Sequence, residues 1–271
     1  TVNIKTKDFT WTTDFIYSHM HNEVTELNTL NRLYDYISGY GFTMPGYPQR
    51  SLFSIPFAGL NNEGLPTFYD PDGNITVTGI DMQEYDPERL KFLKYEGPAD
   101  PTDVGSLGNI FRYKNLTLNL FITYSFGNVV RLDPVFSSQY SDLTATPKEF
   151  NNRWIKPGDE KFTNIPVIAS RQQLNNIAYL SRAYQSYNYS TARVAKGDFI
   201  RMKEISLAYE FPKTLTQPLH LSNLSLKLQA TNLFLLYADK KLNGQDPEFF
   251  NTGGVATPMP KQFTLTLKFG I

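Results

Sequence analysis

The chain has 271 residues, with 26 Lys+Arg balanced by 26 Asp+Glu and no cysteine. That balance removes the electrostatic footprint of a nucleic-acid or anionic-lipid binder, and the lack of thiols excludes disulfides and thiolate metal sites. Aromatic residues reach 14 %, which suits strands and membrane-interface girdles, while the longest apolar run, residues 233–238, is far short of the ~18 residues of a spanning helix.

Residues 1–8 carry neither an initiator Met nor a basic-then-apolar leader, and read as the interior of a longer polypeptide. Phe9, Trp11, Thr13, Phe15 and Tyr17 then alternate with Thr10, Thr12, Asp14 and Ile16. This period of two predicts a strand over 8–24. A Gly/Pro-punctuated loop follows over 23–48. Further strands are predicted over 50–59 and, interrupted by Asp70-Pro-Asp-Gly-Asn74, over 65–77, with a turn at 60–64 between them. Residues 78–105 read as loop, and 107–113 with 115–129 as a hairpin. In its second arm Leu116, Leu118, Leu120, Ile122, Tyr124 and Phe126 face one way, and Thr117, Asn119, Phe121, Thr123 and Ser125 the other. About ten residues is the length of a tilted strand crossing a bilayer.

The longest loop, 130–196, holds a short helix near 174–182. A strand over 197–211 follows, then a turn over 212–223 and a strand from 224 whose register slips near Asn232, through a bulge. After a Gly/Pro-rich loop over 238–260 the chain closes on Phe263-Thr-Leu-Thr-Leu-Lys-Phe-Gly-Ile271, strictly alternating to its last residue. So apolar a final strand is protected in a closed membrane barrel, where lipid covers one face and the last strand pairs with the first. The sum is an all-β, antiparallel transmembrane β-barrel segment of about eight strands. Long connections (23–48, 78–105, 130–196, 238–260) alternate with short ones (60–64, 113–115, 212–223), the asymmetry of long extracellular loops and short periplasmic turns. A soluble β fold has no reason to collect every long loop at one end.

Several runs, in order along the chain, resemble the SusC-like (SusC/RagA) TonB-dependent outer-membrane transporters of Bacteroidetes. They are F-T-W at 9–11, F-A-G-L-N-N-E-G-L-P at 57–66, G-S-L-G-N at 105–109 with Y-K-N at 113–115, R-W-I-K-P-G at 153–158, G-D-F-I-R-M-K-E-I-S-L-A-Y at 197–209, A-T-N-L-F at 230–234, D-P-E at 246–248 and P-M-P-K-Q-F at 258–263. Lys261 stands where that family usually has Arg, and the terminal Ile271 where it commonly has Phe. The resemblance implies that residues 1–271 are the C-terminal segment of a 22-stranded, plugged barrel, with the plug and TonB box outside this chain. It further implies energy-coupled import of a glycan or oligopeptide across the outer membrane of a Gram-negative bacterium, without bond chemistry. The implied partners are a SusD-like surface lipoprotein, TonB, the rest of the same barrel and outer-membrane lipid. A passive or plugless porin-like barrel and a soluble β-sandwich carbohydrate-binding module stay open as alternatives.

Candidate groups follow from these placements. Thr117, Asn119, Thr123, Lys203, Glu204, Lys227, Gln229, Thr264 and Lys268 are expected to line a wet lumen. Tyr184, Tyr187 and Tyr189 with Arg182 and Arg193 either grip a sugar or peptide or pack their loop against its neighbours. Phe211, Tyr209 and Phe269 are expected in one girdle, Tyr124, Phe126 and Tyr237 in the other. His19 and His21 share a strand face, which suits a metal pair or plain rim polarity. Asp70-Pro-Asp72-Gly73 begins like a calcium loop but lacks the distal Glu, and reads as a turn. Asp100, Asp103 and Asp133 read as solvated loop carboxylates. No hydrolase or phosphate-loop motif occurs, and no cofactor or metal is expected.

Overall fold

The computed structural model describes residues 1–39, 41–136, 147–250 and 260–271. Seven strands form one antiparallel sheet: β1 (Val2–Lys5), β2 (Phe9–His19), β3 (Asp103–Tyr113), β4 (Leu116–Phe126), β5 (Phe199–Glu210), β6 (Asn223–Ala238) and β7 (Gln262–Gly270). They lie side by side in chain order. No helix among the described residues is long and apolar enough to cross a membrane. The long strands form where alternation is unbroken, and the tight β3–β4 connection is Tyr113-Lys-Asn-Leu116, in which Lys114 takes φ +51°.

The sheet has two free edges, β1 and β7. Among the described residues these edges have no partner, as expected of a segment of a larger barrel. Seven strands, one of only four residues, are too few to close even a small barrel. The two strands expected over 50–59 and 65–77 also lie outside this sheet. They break into Ser51–Ser54, paired with Lys94–Pro98, and a three-stranded piece of Phe57–Leu60, Pro66–Tyr69 and Ile75–Thr76. Pro56 interrupts the first stretch, and Ser51–Ser54 is buried at every position rather than alternating as a wall strand must. The single helix near 174–182 is resolved into Arg171–Asn176 and Leu180–Asn188.

With those segments removed from the wall, the alternation of connections becomes sharper. The three at one end join Lys5 to Phe9, Tyr113 to Leu116 and Glu210 to Asn223; the three at the other join His19 to Asp103, Phe126 to Phe199 and Ala238 to Gln262. The long connections are not open loops. Leu33, Ile37, Ile55, Leu65 and Phe68 from the first pack against Val135, Phe136, Leu180, Ala183 and Tyr187 from the second in one buried cluster. Val130, Leu132, Ala195, Leu242 and Phe250 form another that draws in the third. They make a folded cap at one end of the sheet.

Buried polar groups of the cap are tied to backbone. Arg131 donates from Nη1 to Ser54 Oγ at 3.2 Å and from Nη2 to the Phe53 carbonyl at 2.5 Å, and burial pulls its pKa down to about 10. Gly64 (φ +75°) sits beneath the Trp154 indole, whose Cδ2 lies 2.4 Å from where a Cβ would be. Gly64→Ala is therefore both sterically and conformationally strained, and we expect it to cost the cap roughly 1–3 kcal/mol. A red shift of Trp154 fluorescence, read in a Trp11→Phe background, checks this; an unshifted spectrum and unchanged melting would contradict it.

The bulge expected near Asn232 is present and larger than anticipated. Met202 opposes Ile122 and Glu204 opposes Phe121, which leaves Lys203 as the extra residue against β4. On the other side Met202 opposes Phe234 and Glu204 opposes Thr231, so β6 also carries an extra residue, where Asn232 adopts φ +54°. Such a bulge re-aims the side chains on either side of it.

Candidate functional site

Register places the two faces of the sheet. Trp11, Phe111, Leu118, Leu207, Leu228 and Leu265 are successive cross-strand partners, one per strand from β2 to β7. A second row runs Phe9, Tyr113, Leu116, Tyr209, Leu226 and Leu267. Among the described residues nothing covers this face: Leu228 is 53 % exposed, Leu265 65 % and Phe15 66 %. At 25 cal/mol per Å2, so much apolar surface in water would be costly; hydrocarbon contact removes the cost.

The other face is polar. Thr12, Ile110, Asn119, Ser206, Gln229 and Thr264 form one row, and Thr10, Arg112, Thr117, Ala208, Lys227 and Thr266 the next; Lys268 lies opposite Ser225. Thr117, Asn119, Gln229 and Thr264 thus share one face with Lys227 and Lys268. Lys227 Nζ lies 3.6 Å from Glu204 Oε1, to which Asn119 Nδ2 also donates at 3.4 Å.

Aromatic pairs mark both ends of the apolar face. Tyr209 and Phe211 meet edge to face at 5.1 Å at the short-turn end, and Tyr124 stacks on Phe126 at 5.6 Å and on Phe15 at 6.4 Å near the cap. The Tyr124 hydroxyl donates to the Ile16 carbonyl at 3.0 Å. It can do so only because Gly105 has no side chain: a Cβ there would lie 2.4 Å from that oxygen. Tyr237 is 45 % exposed at the cap end of β6, and Phe269 opposes Leu224 at the other end. One polar patch interrupts the apolar face. Trp11 Nε1 and the Thr13 hydroxyl both donate to Asn109 Oδ1, at 2.9 and 2.8 Å, so these groups satisfy one another where water would be absent.

Where the polar face meets the cap lies a cleft of about 540 Å3, bordered by Thr123, Ser125, Lys203, Arg50, Asp100 and Glu248, with Phe199 and Phe250 as apolar walls. Its rim is fastened by a buried ion pair absent from the sequence reading. Arg201 Nη2 donates to both carboxylate oxygens of Asp246, and Arg201 Nε lies 3.1 Å from Glu248 Oε2. Arg201 and Asp246 are each 4 % exposed at the side chain. The G-D-F-I-R run at 197–201 and the D-P-E run at 246–248 are thus two halves of one contact, a pairing that neither run discloses alone.

The loop aromatics behave differently from one another. Tyr187 and Arg193 are 1 % and 2 % exposed in the cap core and present no surface to a cargo; Arg193 Nη2 bonds Glu149 Oε1 at 2.6 Å, and burial pushes the Tyr187 phenol up to about 12. The Tyr184 hydroxyl donates to the Val167 carbonyl at 2.7 Å. Tyr189 meets Tyr34 edge to face at 5.8 Å. Arg182 lies on the surface, its guanidinium 4.3 Å from the Tyr179 ring. The chain therefore gathers four of the five in one packed cluster and leaves Arg182 outside. His19 Nδ1 lies 2.9 Å from Asp103 Oδ1, and no cluster of three potential metal ligands occurs among the described residues. Asp70 Oδ1 accepts from the backbone of Asp72 and Asn74, as a turn requires. Residues 258 and 259 of the P-M-P-K-Q-F run lie outside the described residues.

No family model matches the chain. TonB-dependent receptor P39 of Formosa agariphila is 26 % identical over 297 residues, covering 94 % of this chain and 27 % of that protein. TonB-dependent receptor P3 of the same organism is 25 % identical over 269 residues, covering 91 % and 24 %. A solved chain of the RagAB peptide transporter superposes with a TM-score of 0.68 at 21 % identity, over 99 % of this chain and 28 % of its own. The chain is similar in sequence to TonB-dependent receptors and shares its fold with part of the RagAB transporter. The open-open RagAB importer gives a TM-score of 0.69 at 20 % identity over the whole chain, so the free-edged sheet is a portion of barrel wall. The segment spans about a quarter of the length of the curated TonB-dependent receptors it matches.

Proposed function

We propose that this segment is the C-terminal part of the barrel of a TonB-dependent importer in a Gram-negative outer membrane, working as the barrel subunit of a SusC/SusD-type complex that takes up a glycan or oligopeptide. The observation that carries the reading is the two-faced wall: six-strand rows of uncovered apolar side chains backed by rows of hydroxyls, amides and ion pairs. Such a sheet is at home only between hydrocarbon and water.

The segment contributes wall, cap and the cleft between them. Its long connections lie at one end, which the reading assigns to the outside of the cell, and their packed cores give a SusD-like lipoprotein a firm surface to close upon. TonB acts through a plug carried elsewhere in the whole receptor. No step makes or breaks a covalent bond; selectivity rests on polar and aromatic groups around the cleft. The test uses the whole receptor in its own cells. Uptake of the growth-supporting glycan or peptide, followed with and without TonB, is expected to fall to the level of a receptor deletion when TonB is lost. Uptake that persists without TonB would instead identify a passive pore.

A further inference from the structure

The cleft beneath the cap holds charges that are nearly all spoken for. Arg50 Nη1 lies 2.6 Å from Asp100 Oδ1. Glu248 faces Arg201, which is itself bound to Asp246. Glu204, next in sequence to Lys203, is taken by Lys227. Lys203 lines the same cleft and makes no ion pair or hydrogen bond among the described residues. It is the extra residue of the β5 bulge, the device by which a strand re-aims a side chain. Lys203 is itself half-buried. The same cleft is bordered by Thr123 and Ser125, which carry hydroxyls, and has Phe199 and Phe250 as apolar walls.

We propose that Lys203 is the anchor of a cargo subsite for a carboxylate. One ammonium balances one negative charge. A phosphate, with ~1.5 to 2 charges, would set its excess against the Glu248 and Asp100 carboxylates on the same cleft. The hydroxyls supply neutral hydrogen bonds to the second carboxylate oxygen, and the phenyl rings take the apolar part of the residue that bears it. Charge-assisted hydrogen bonds are the strong ones, so the subsite selects among cargoes by their acidic ends. The subsite deepens the import reading above and rests on it.

A carboxylate reaches this cleft either from an oligopeptide or from a uronate sugar, and separate arms of one experiment tell these apart. The whole receptor, purified with its partner lipoprotein, is titrated with a short peptide acid and its C-terminal amide, and with an oligouronate and its methyl ester. One acid is expected to bind roughly tenfold more tightly than its neutral form. Lys203→Gln should erase that difference, and Lys203→Arg should keep most of it. Heat-modifiable mobility on gels confirms that each variant is folded; should Lys203→Gln fail to fold, the salt dependence of the wild-type acid-against-neutral difference decides instead, since only a charge contact weakens with salt. Equal binding of acid and neutral forms, a difference that survives Lys203→Gln, or no binding by either acid overturns the subsite. The import reading is judged separately, by TonB-dependent uptake of whatever cargo the cells do use.

Discussion

Arg201→Ala is expected to free the last long connection from the barrel wall. The substitution leaves the Asp246 carboxylate buried at 4 % exposure without its cation. Breaking one partner of a buried pair typically costs about 3–5 kcal/mol, most of it the penalty of the orphaned charge. The segment relieves that penalty by moving Asp246 into water, which lifts Glu248 and Phe250 from the cleft rim and loosens the cluster of Val130, Leu132, Ala195 and Leu242. Amide exchange over residues 239–250 should therefore accelerate strongly while exchange in β4 changes little. Arg201→Ala with Asp246→Ala should be less damaging than the two single costs added, because the double variant has no orphan. Arg201→Lys keeps the charge but loses the two-point grip, and should fall between. If exchange over 239–250 is unchanged in Arg201→Ala, the pair is not what fastens this connection.

A cation on the apolar face is expected to be far more damaging than one a single residue away. Leu228 lies mid-strand between Leu207 and Leu265, and Gln229 between Ser206 and Thr264. In the whole receptor folded into phospholipid bilayers, Leu228→Arg should cost ~2–4 kcal/mol, the range for a basic side chain at the bilayer midplane. Gln229→Arg, on the polar face of the sheet, should stay within about 0.5 kcal/mol of the parent. Urea titration of the folded fraction measures both. The reverse order, or equal costs, would place hydrocarbon on the wrong side of the sheet and remove the membrane reading with it.

The contrast between Leu228 and Gln229 also shows why the wall could be read from the sequence. A strand's side chains point to opposite faces at every step, so Leu116–Phe126 and Phe263–Phe269 declare their two environments without any knowledge of neighbours. The turns around Lys114 and at 212–223 needed only local chemistry. The bulge near Asn232 left a trace because it breaks that same alternation. The segments 50–59 and 65–77 misled for a related reason. Their apolar residues resemble those of a wall strand, but Ser51–Ser54 is buried on both sides, and burial on both sides has no period of its own.

Residue order by itself determined the alternating strands, their two chemistries, the rhythm of long and short connections and the family resemblance, since each depends on spacing within a few positions. Only the tertiary structure decided which aromatic and basic residues of the long connections are core and which are free to meet a ligand. Tyr187 and Arg193 look no different from Arg182 along the chain, yet the first two are sealed among groups that include Phe57, Phe136 and Glu149. The same holds for Arg201 and Asp246, 45 positions apart, and for Lys203, which has no ion-pair partner among the described residues. Whether a charge is paired depends on contacts across the fold, and contacts between distant segments have no periodicity from which to read them.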